Sequence, residues 1–155
     1  MKISIIVAMA ENGAIGFRNQ LLYHIPEDLK RFKALTIGHT VVMGRNTYLS
    51  LPNGALPQRR NIVLSRTIKN ITGCDVYVSL EEALHSCSEG EEVFIIGGEK
   101  VYRQAIPMVQ RIYLTLIKRA PLQADAFFPK ISIQQWDMSI KEERDGYSFI
   151  QYDRK

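Results

Sequence analysis

Residues 93–102, Val-Phe-Ile-Ile-Gly-Gly-Glu-Lys-Val-Tyr, constrain the fold of this chain more than any other stretch. The continuous apolar run is typical of a strand that is buried on both faces, as in the interior of a parallel sheet. The two glycines at its end permit backbone conformations closed to other residues and let a ligand lie against the main chain. A helix that starts there directs free N–H groups to the same place, which suits a phosphate. Taken alone, a glycine pair after a strand more often marks only a turn.

Two further apolar runs, residues 41–43 and 61–64, end in short polar segments that suit anions. The segments supply glycine, hydroxyl, amide and guanidinium groups from Gly44, Arg45, Asn46, Thr47, Ser65, Arg66 and Thr67. Ligands of open α/β sheets bind outside the carboxyl ends of the strands, and arginine forms paired hydrogen bonds with phosphate. Three such strand ends predict a dinucleotide. The additional arginines predict a 2′-phosphate, so we expect NADPH rather than NADH.

The length and composition are those of one domain, which we place at residues 1–155. Hydrophobic residues make up 46% and charged residues 23%, which is ordinary for a soluble globular protein. A net charge of +4 suits an anionic ligand, but it equally describes a solvated basic surface. Because the sequence has no basic block with interleaved aromatic residues, it does not favour nucleic-acid binding.

Cysteine, histidine and apolar patterns argue against several other classes of protein. Cys74 and Cys87 form no close pair, which fits a reducing cytoplasm rather than a disulfide scaffold. His24, His39 and His85 show no metal-ligand spacing, so we expect no metal site. The apolar run near the N-terminus is too short for a secretory signal, and no run reaches the roughly 18 residues of a membrane span. We therefore expect a cytoplasmic protein.

Apolar runs alternate with helical patterns along most of the chain. Strands are predicted at residues 3–9, 40–43, 61–64, 76–78, 93–96 and 112–117, and helices at residues 26–36, 79–87 and 99–105 and directly after residue 44. This alternation predicts an α/β protein with a mostly parallel central sheet of about eight strands, flanked by about four helices. Asp145-Gly146 predicts a C-terminal antiparallel hairpin. Residues 11–26 form a long connection of the kind that often acts as a lid.

Asp28 lies in the first turn of the first predicted helix. At 100° per residue it shares a face with Phe32 and Leu35, so its carboxylate should point toward the sheet. An acidic residue in a first turn often only complements the helix dipole, as we expect of Glu27. A carboxylate that faces the core, however, requires a partner. Since we expect the cations of this helix, Arg31 among them, to point elsewhere, a ligand with paired N–H donors is the favoured partner.

With this acid in place, the chain resembles the dihydrofolate reductase family, of the bacterial chromosomal type, from end to end. The matching segments are Ile15-Gly16 with Asn19, Pro26-Glu27-Asp28-Leu29 with Phe32, Met43-Gly44-Arg45 with Thr47, Pro57 with Arg59 and Asn61, Ser65-Arg66, Ile96-Gly97-Gly98 with Val101-Tyr102, Tyr113-Leu114-Thr115, and Asp125 with Phe128-Pro129. Each segment is short, but their number and order are highly specific. The resemblance implies NADPH-dependent reduction of 7,8-dihydrofolate to 5,6,7,8-tetrahydrofolate, which supplies one-carbon metabolism and thymidylate synthesis.

The resemblance assigns one set of residues to the substrate and the reaction. Asp28 would bind the amino group and ring N–H of the pterin, with Thr115 completing the network. Arg59 would pair with the α-carboxylate of the glutamyl tail, although a solvent-facing arginine is the plain alternative. Tyr23 is a candidate to hold the water that delivers the proton, and Leu21 would close over the ring. The folate cleft would be lined by Ile6, Val7, Leu29, Phe32, Leu51, Leu56, Ile96 and Tyr102.

The resemblance assigns a second set of residues to NADPH. Gly97, Gly98 and the start of the following helix would receive the pyrophosphate. Arg45, Ser65 and Arg66 would hold the 2′-phosphate. The full set is Ala8, Ile15, Gly16, Asn19, Gly44, Arg45, Asn46, Thr47, Leu64, Ser65, Arg66, Ile96, Gly97, Gly98, Glu99, Lys100, Val101 and Tyr102.

The chain departs from the family pattern at three places. Leu22-Tyr23 stands where the family usually has Pro-Trp, which leaves the proton route and the sensitivity to antifolates open. Glu99 stands where a third glycine is common, a tolerable change if its side chain faces solvent. The turn near Asp145 is shorter than in some relatives, so their loop switching is not carried over. Asp125 is still expected to anchor the long loop by accepting backbone N–H bonds.

Other functions stay open at this point. The pyrimidine reductase of riboflavin synthesis would share the cofactor segments but needs no acid for a pterin, so Asp28, Thr115 and Arg59 argue against it. A non-catalytic NADP-binding module would bind NADPH without turnover, and a basic nucleic-acid-binding domain fits least well. We expect a monomer with small-molecule ligands, antifolates among its inhibitors, and no nucleic-acid or membrane partner.

Overall fold

The computed structural model of the chain describes residues 1–18, 20–21, 24–121 and 123–155, with residues 20 and 21 described by their backbone alone. These residues form an eight-stranded sheet, a three-stranded sheet and four helices. The helices are α1 (Pro26–Thr36), α2 (Arg45–Ser50), α3 (Leu80–His85) and α4 (Glu99–Ala105). The strands are β1 (Lys2–Ala10), β2 (Ala14–Phe17), β3 (Gln20–Leu21), β4 (Thr40–Gly44), β5 (Arg60–Leu64), β6 (Cys74–Tyr77), β7 (Glu92–Gly97), β8 (Arg111–Ile117), β9 (Ala126–Phe127), β10 (Trp136–Glu143) and β11 (Tyr147–Arg154).

The large sheet has the strand order β10-β11-β8-β1-β7-β4-β5-β6. The six strands from β8 to β6 are parallel, and β11 and β10 add an antiparallel hairpin at one edge. The predicted sheet, with its C-terminal hairpin and about four flanking helices, is therefore confirmed. Within the described residues, no helix is both long enough and apolar enough to cross a membrane.

Side-chain alternation along the strands divides the core into two clusters, one on each face of the sheet. Val93 and Ile95 of β7 belong to the larger cluster, which also contains residues of α3 and α4. Phe94 belongs to the smaller cluster, and the partly buried Ile96 packs against it. Leu35 of α1 packs against the smaller cluster too. Helices α1 and α4 therefore lie on opposite faces of the same sheet.

Helix α1 begins and ends where the sequence predicts. Pro26 occupies its first position, where a backbone N–H is not needed, and Glu27 and Asp28 follow in the first turn. Thr36 at the other end is fully buried, and its hydroxyl donates to the Phe32 carbonyl oxygen at 2.8 Å. The helix axis runs about 12 Å from Asp28 to Thr36. It therefore fixes the distance between groups that lie near its two ends.

The three-stranded sheet, with the order β3-β2-β9, departs from the expectation that residues 11–26 form only a loop. β2 pairs with β9 through Ala14 with Phe127 and Gly16 with Ala126. These strands are two to four residues long, and β9 lies far along the chain from β2. No local periodicity marks such short strands, because their pairing depends on a distant segment.

The buried amide of Asn61 holds the loop that leads into β5. Its Oδ1 accepts a hydrogen bond from the Leu56 N–H at 2.9 Å, and its Nδ2 donates to the carbonyl oxygens of Leu56 and Arg59 at 2.8 and 3.0 Å. Asn61 is only 2% exposed. It thus fixes the backbone of Leu56 and Arg59, two residues that the family resemblance assigns to the substrate.

We expect Asn61→Leu to lower the free energy of unfolding by about 2–3 kcal/mol, because an apolar side chain of similar size leaves main-chain groups without partners. Urea denaturation measures the change. The same substitution at the exposed Asn70 is the control and should change stability by less than about 0.5 kcal/mol. Equal effects at the two positions would show that the Asn61 hydrogen bonds do not stabilise the fold.

Candidate active site

A cavity of about 980 Å³ opens at the carboxyl ends of the parallel strands. Ala8 of β1, Gly44 of β4, Leu64 of β5 and Gly97 of β7 line it. The first turn of α4 and parts of β2 and β9 also contribute, so elements of both sheets surround the cavity. In open α/β proteins this edge binds ligands because loops and helix starts converge there.

Gly97 and Gly98 bring main chain without side chains to the cavity. Gly97 has a φ of +127°, in the region that favours glycine, and the Gly97–Gly98 peptide bond is cis. A Cβ atom on Gly97 would lie 3.4 Å from the Thr47 Oγ1 and 3.4 Å from the Tyr102 hydroxyl. One on Gly98 would also lie 3.4 Å from the Thr47 oxygen. The missing side chains therefore leave a space with polar walls that a ligand can occupy.

Two arginines and a serine give the cavity donors for an anion. Arg45 and Arg66 line it and are exposed, and neither forms a salt bridge within the described part of the chain. Ser65 Oγ accepts N–H bonds from Thr67 and Ile68 at 3.3 and 3.0 Å, which leaves its own proton to donate. Guanidinium groups without acidic partners, next to a hydroxyl donor, suit a phosphate.

Two carboxylates also line the cavity, and each is bound to a backbone N–H. Glu99 Oε1 accepts from the Phe127 N–H at 2.7 Å, and Asp125 Oδ2 accepts from the Arg18 N–H at 3.0 Å. The bond from Phe127 is the main reason that the pKa of Glu99 lies below its ordinary value. Asp125 thus accepts a backbone N–H from the long loop, as the family resemblance implies. A glutamate that merely replaces a glycine is expected to face solvent. Glu99 instead binds the main chain of β9.

The cavity brings together the cofactor residues that the family resemblance implies, as far as the chain is described. They are Ala8, Ile15, Gly16, Gly44, Arg45, Asn46, Thr47, Leu64, Ser65, Arg66, Ile96, Gly97, Gly98, Glu99, Lys100, Val101 and Tyr102. Asn19 lies outside the described residues. The cavity also contains residues that no sequence pattern singled out, namely Ser50, Val78, Ser79, Leu80, Gln104 and Ala126. Val78 and Ser79 follow β6 as Ser65 follows β5, so the same strand-end pattern would have found them.

Asp28 is not among the residues that line the cavity, but Thr115 connects it to the cavity wall. Its Oδ1 accepts a hydrogen bond from the Thr115 hydroxyl at 2.5 Å. Thr115 is buried in β8, where it pairs with Ala8 of β1, and Ala8 lines the cavity. The second carboxylate oxygen, Oδ2, has no donor among the described residues. It therefore remains available to a ligand.

Burial and a neighbouring cation act on Asp28 in opposite directions. Burial raises the pKa of its carboxyl above the ordinary value, while the Thr115 hydrogen bond and the charge of Arg31 oppose the rise. The expectation that Arg31 points elsewhere is wrong. Its guanidinium carbon lies 4.5 Å from the centre of the Phe149 ring and 5.8 Å from that of Tyr113. These rings on β11 and β8 hold the cation on the same side of the helix as Asp28.

Glu27 does more than complement the helix dipole. Its carboxylate accepts hydrogen bonds from the Tyr147 hydroxyl at 2.6 Å and from Arg144 Nε at 3.0 Å. The Tyr147 bond is the main cause of the lowered pKa of Glu27. Glu27 therefore ties the first turn of α1 to the C-terminal hairpin, which keeps the neighbouring Asp28 over β8.

Tyr102 supports the site from the other face of the sheet. It is 5% exposed, and its hydroxyl donates to the Ile6 carbonyl oxygen at 2.7 Å. Burial, reinforced by the charge of Asp28, raises the pKa of this phenol above its ordinary value. Tyr102 therefore keeps its proton and acts as a structural donor.

The residues predicted to line the folate cleft divide between the two faces of the sheet. Val7 and Tyr102 belong to the larger cluster and line the cavity. On α1, Leu29 is 51% exposed and Phe32 is partly buried. The remaining four pack against the smaller cluster, on the side of α1: Ile6, Leu51, Leu56 and Ile96.

Arg59 is held near the C-terminal end of α1. Its Nε donates to the Pro57 carbonyl oxygen at 2.9 Å, and its Nη1 donates to Thr36 Oγ1 at 3.1 Å. Partial burial lowers its pKa from the ordinary value. Since about 12 Å of helix separates Asp28 from Thr36, an elongated ligand with an anion at one end would reach the acid and the guanidinium together.

Two residues of the long loop, Leu21 and Tyr23, are assigned to the reaction. Leu21 belongs to β3, where it pairs with Gly16 of β2, and its side chain is not among the described atoms. Tyr23 and its neighbour Leu22 lie outside the described residues. Both assignments stay predictions.

The chain is similar to proteins of one family throughout its length. A sequence profile described as dihydrofolate reductase matches residues 2–154. The dihydrofolate reductase of Neisseria meningitidis is 42% identical over 98% of this chain and 98% of its own. That of Bacillus subtilis is 38% identical over 99% of this chain and 95% of its own. A dihydrofolate reductase type 3 of Salmonella typhimurium is 44% identical over 88% of this chain and 83% of its own.

We expect Asp28→Asn to make the protein without ligands more stable at neutral pH, by about 0.5–1 kcal/mol in the free energy of unfolding. The pKa of Asp28 is higher in the folded protein than in the unfolded chain. Its contribution to the free energy of unfolding is therefore fully present only below the pKa of the unfolded chain, and it is lost as the pH rises through the pKa of the folded protein. Asparagine carries no charge, so the difference between the proteins should disappear in acid.

Thermal unfolding of both proteins between pH 4 and 8 measures this difference, with Glu89→Gln, which removes an exposed carboxylate, as the control. A variant that is less stable than the wild type at pH 8 would contradict the assignment of Asp28 as an unfavourably buried acid.

Proposed function

The chain belongs to the dihydrofolate reductase family, and we infer that it catalyses the NADPH-dependent reduction of 7,8-dihydrofolate to 5,6,7,8-tetrahydrofolate. One observation carries the proposal: Thr115, which binds Asp28, pairs with Ala8 at the wall of the cavity. An acid suited to a reducible heterocycle and a cavity suited to a phosphorylated cofactor are therefore neighbours. The product would supply one-carbon metabolism and thymidylate synthesis.

The donors of the cavity fit NADPH. The main chain at Gly97 and Gly98 leaves room for the pyrophosphate, and we assign the 2′-phosphate to Arg45, Ser65 and Arg66. When bound, NADPH supplies the hydride. The nicotinamide end of the cavity would be bordered by Ala8, Ile15 and Gly16.

We assign to Asp28 both the binding and the polarisation of the pterin. Its carboxylate would accept hydrogen bonds from the amino group and the ring N–H, for which Oδ2 is available. Thr115 donates to Oδ1 and thereby fixes the orientation of the carboxylate. The negative charge favours protonation of the ring nitrogen beside the carbon that is reduced. Arg31 limits the rise of the Asp28 pKa and so helps to keep this charge at neutral pH.

The rest of the substrate would lie along α1. Arg59, held against Thr36, is placed to pair with the α-carboxylate of the glutamyl tail. The apolar part between ring and tail would contact Ile6, Leu51, Leu56 and Ile96, with Leu29 and Phe32 on the helix side.

We propose that the long loop excludes water from the site and controls the proton. Leu21 would close over the nicotinamide and pterin rings, and the hydroxyl of Tyr23 would hold the water that delivers the proton. The pairing of Leu21 with Gly16, which lines the cavity, supports the first assignment.

We further propose a cytoplasmic monomer that binds antifolates in the pterin site. Both cysteines are free, as is usual in a reducing compartment. Light scattering after gel filtration should give the mass of one chain.

The function is tested by following NADPH oxidation by absorbance with purified protein and dihydrofolate, with and without methotrexate. We expect oxidation that depends on dihydrofolate and is blocked by methotrexate, and Asp28→Asn should abolish most of it at neutral pH while NADPH binding persists. NADPH binding without turnover in the wild type would instead indicate a non-catalytic module, and the pyrimidine substrate of riboflavin synthesis would be tried next.

We expect Arg66→Ala to weaken NADPH binding by about tenfold or more and NADH binding far less, because only NADPH carries the 2′-phosphate that this guanidinium would bind. Fluorescence titration with each nucleotide measures both affinities. Lys69→Ala removes an exposed cation three residues away and controls for net charge. An equal loss of affinity for both nucleotides would place the 2′-phosphate elsewhere.

A further inference from the structure

Glu99, like Asp125, places a carboxylate in a cavity whose arginines suit a polyanion. It occupies the first position of α4, lines the cavity, and has a side chain that is 31% exposed. A negative charge near phosphate groups is unfavourable, and the helix dipole offsets only part of that repulsion. The presence of Glu99 here requires a further physical reason.

Both carboxylate oxygens of Glu99 accept hydrogen bonds from the protein. Its Oε1 accepts the Phe127 N–H at 2.7 Å, and its Oε2 accepts from Arg103 Nε at 3.1 Å. Arg103 lies on the next turn of the same helix, so that bond is local. The bond to Phe127 joins α4 to β9, which belongs to the other sheet.

Through β9, the same contact extends to β2. Beyond the β2–β9 pairs, the Asp125 N–H donates to the Gly16 carbonyl oxygen at 3.0 Å, and the Arg18 N–H donates to Asp125 Oδ2 at 3.0 Å. Beside them, the Phe128 N–H donates to the Gly13 carbonyl oxygen at 2.8 Å. An unbroken series of hydrogen bonds thus connects the first turn of α4 to both ends of β2.

β2 forms a wall of the cavity through Ile15 and Gly16. It belongs to the three-stranded sheet and lies far from α4 in the sequence. We propose that Glu99 is a positioning residue that holds β9, and through it β2, against the first turn of α4. On the proposed function, this sets the width of the cavity where the nicotinamide half of NADPH would lie. The adenosine half, assigned to Arg45 and Arg66, does not depend on this connection.

Three variants separate this role from a simple effect of charge. Glu99→Ala removes the acceptor and the charge, whereas Glu99→Gln removes the charge but keeps an oxygen that can accept the Phe127 N–H. Glu81→Ala is the matched control, because Glu81 is an exposed acid in the first turn of α3 and touches neither cavity nor β9.

The first measurement is amide hydrogen exchange, followed by NMR, on the protein without ligands. In Glu99→Ala we expect faster exchange at Phe127 and also at Arg18 and Phe128, with Glu99→Gln and Glu81→Ala close to the wild type. Faster exchange at Phe127 alone would overturn the proposal, since the contact would then hold β9 without positioning β2.

The second measurement compares the affinities for NADPH and for adenosine 2′,5′-bisphosphate, which lacks the nicotinamide half. We expect Glu99→Ala to weaken NADPH by roughly fivefold or more and to change the bisphosphate by less than about twofold, with Glu99→Gln largely restoring NADPH affinity. Unchanged or tighter NADPH binding in Glu99→Ala would mean that charge repulsion dominates, and equal weakening of both ligands would mean that α4 itself is distorted. Either result overturns the proposal.

These measurements distinguish the proposal from the proposed function. If the wild type failed to reduce dihydrofolate, the exchange rates of the protein without ligands would still decide whether Glu99 positions β2. If the wild type were active but the exchange at Arg18 and Phe128 did not respond, only the role of Glu99 would be wrong.

Discussion

Parallel pairing of β1 with β7 on one side and β8 on the other determines where every part of this site can lie. Because parallel strands end at the same edge, Ala8, Gly97 and Thr115 meet there although they are far apart in the sequence. Helix α1 on one face supplies the acid, and α4 on the other supplies the turn beside the cavity. A site with two adjoining halves thus follows from the order of the strands.

Much of this arrangement could be predicted because its signals are local. Continuous apolar runs mark strands buried on both faces, and a glycine pair marks the turn where Gly97 adopts a positive φ. Helical periodicity alone was enough to direct Asp28 toward the sheet, where it meets Thr115. The residues that follow β4, β5 and β7 can be predicted for the same reason, since a strand end and its polar neighbours are adjacent in the sequence, whereas Val78 and Ser79 after β6 were missed.

The features that could not be predicted depend on partners far along the chain. Arg31 lies beside Asp28 because the ring of Phe149 holds it there, and no pattern within the helix contains that ring. Glu99 accepts a hydrogen bond from Phe127, and the two-residue strand that carries Phe127 has no periodicity to recognise. In each case the local sequence shows where the residue lies on its helix, whereas a contact with a distant segment determines where its side chain points.

Helix α1 carries both ends of the assigned substrate site on one rigid element, with Asp28 near its start and Thr36, which supports Arg59, at its end. Inserting one residue between them would turn the ends by about 100° and move them by about 1.5 Å relative to each other. The helix would remain, but Asp28 and Arg59 could no longer bind the same ligand. The length of this segment is therefore more strictly constrained than the identity of its exposed residues, such as Lys30 and Lys33. If Asp28 and Arg59 bind the substrate as proposed, the length of α1 would distinguish folates that differ in the distance between the pterin ring and the carboxylate.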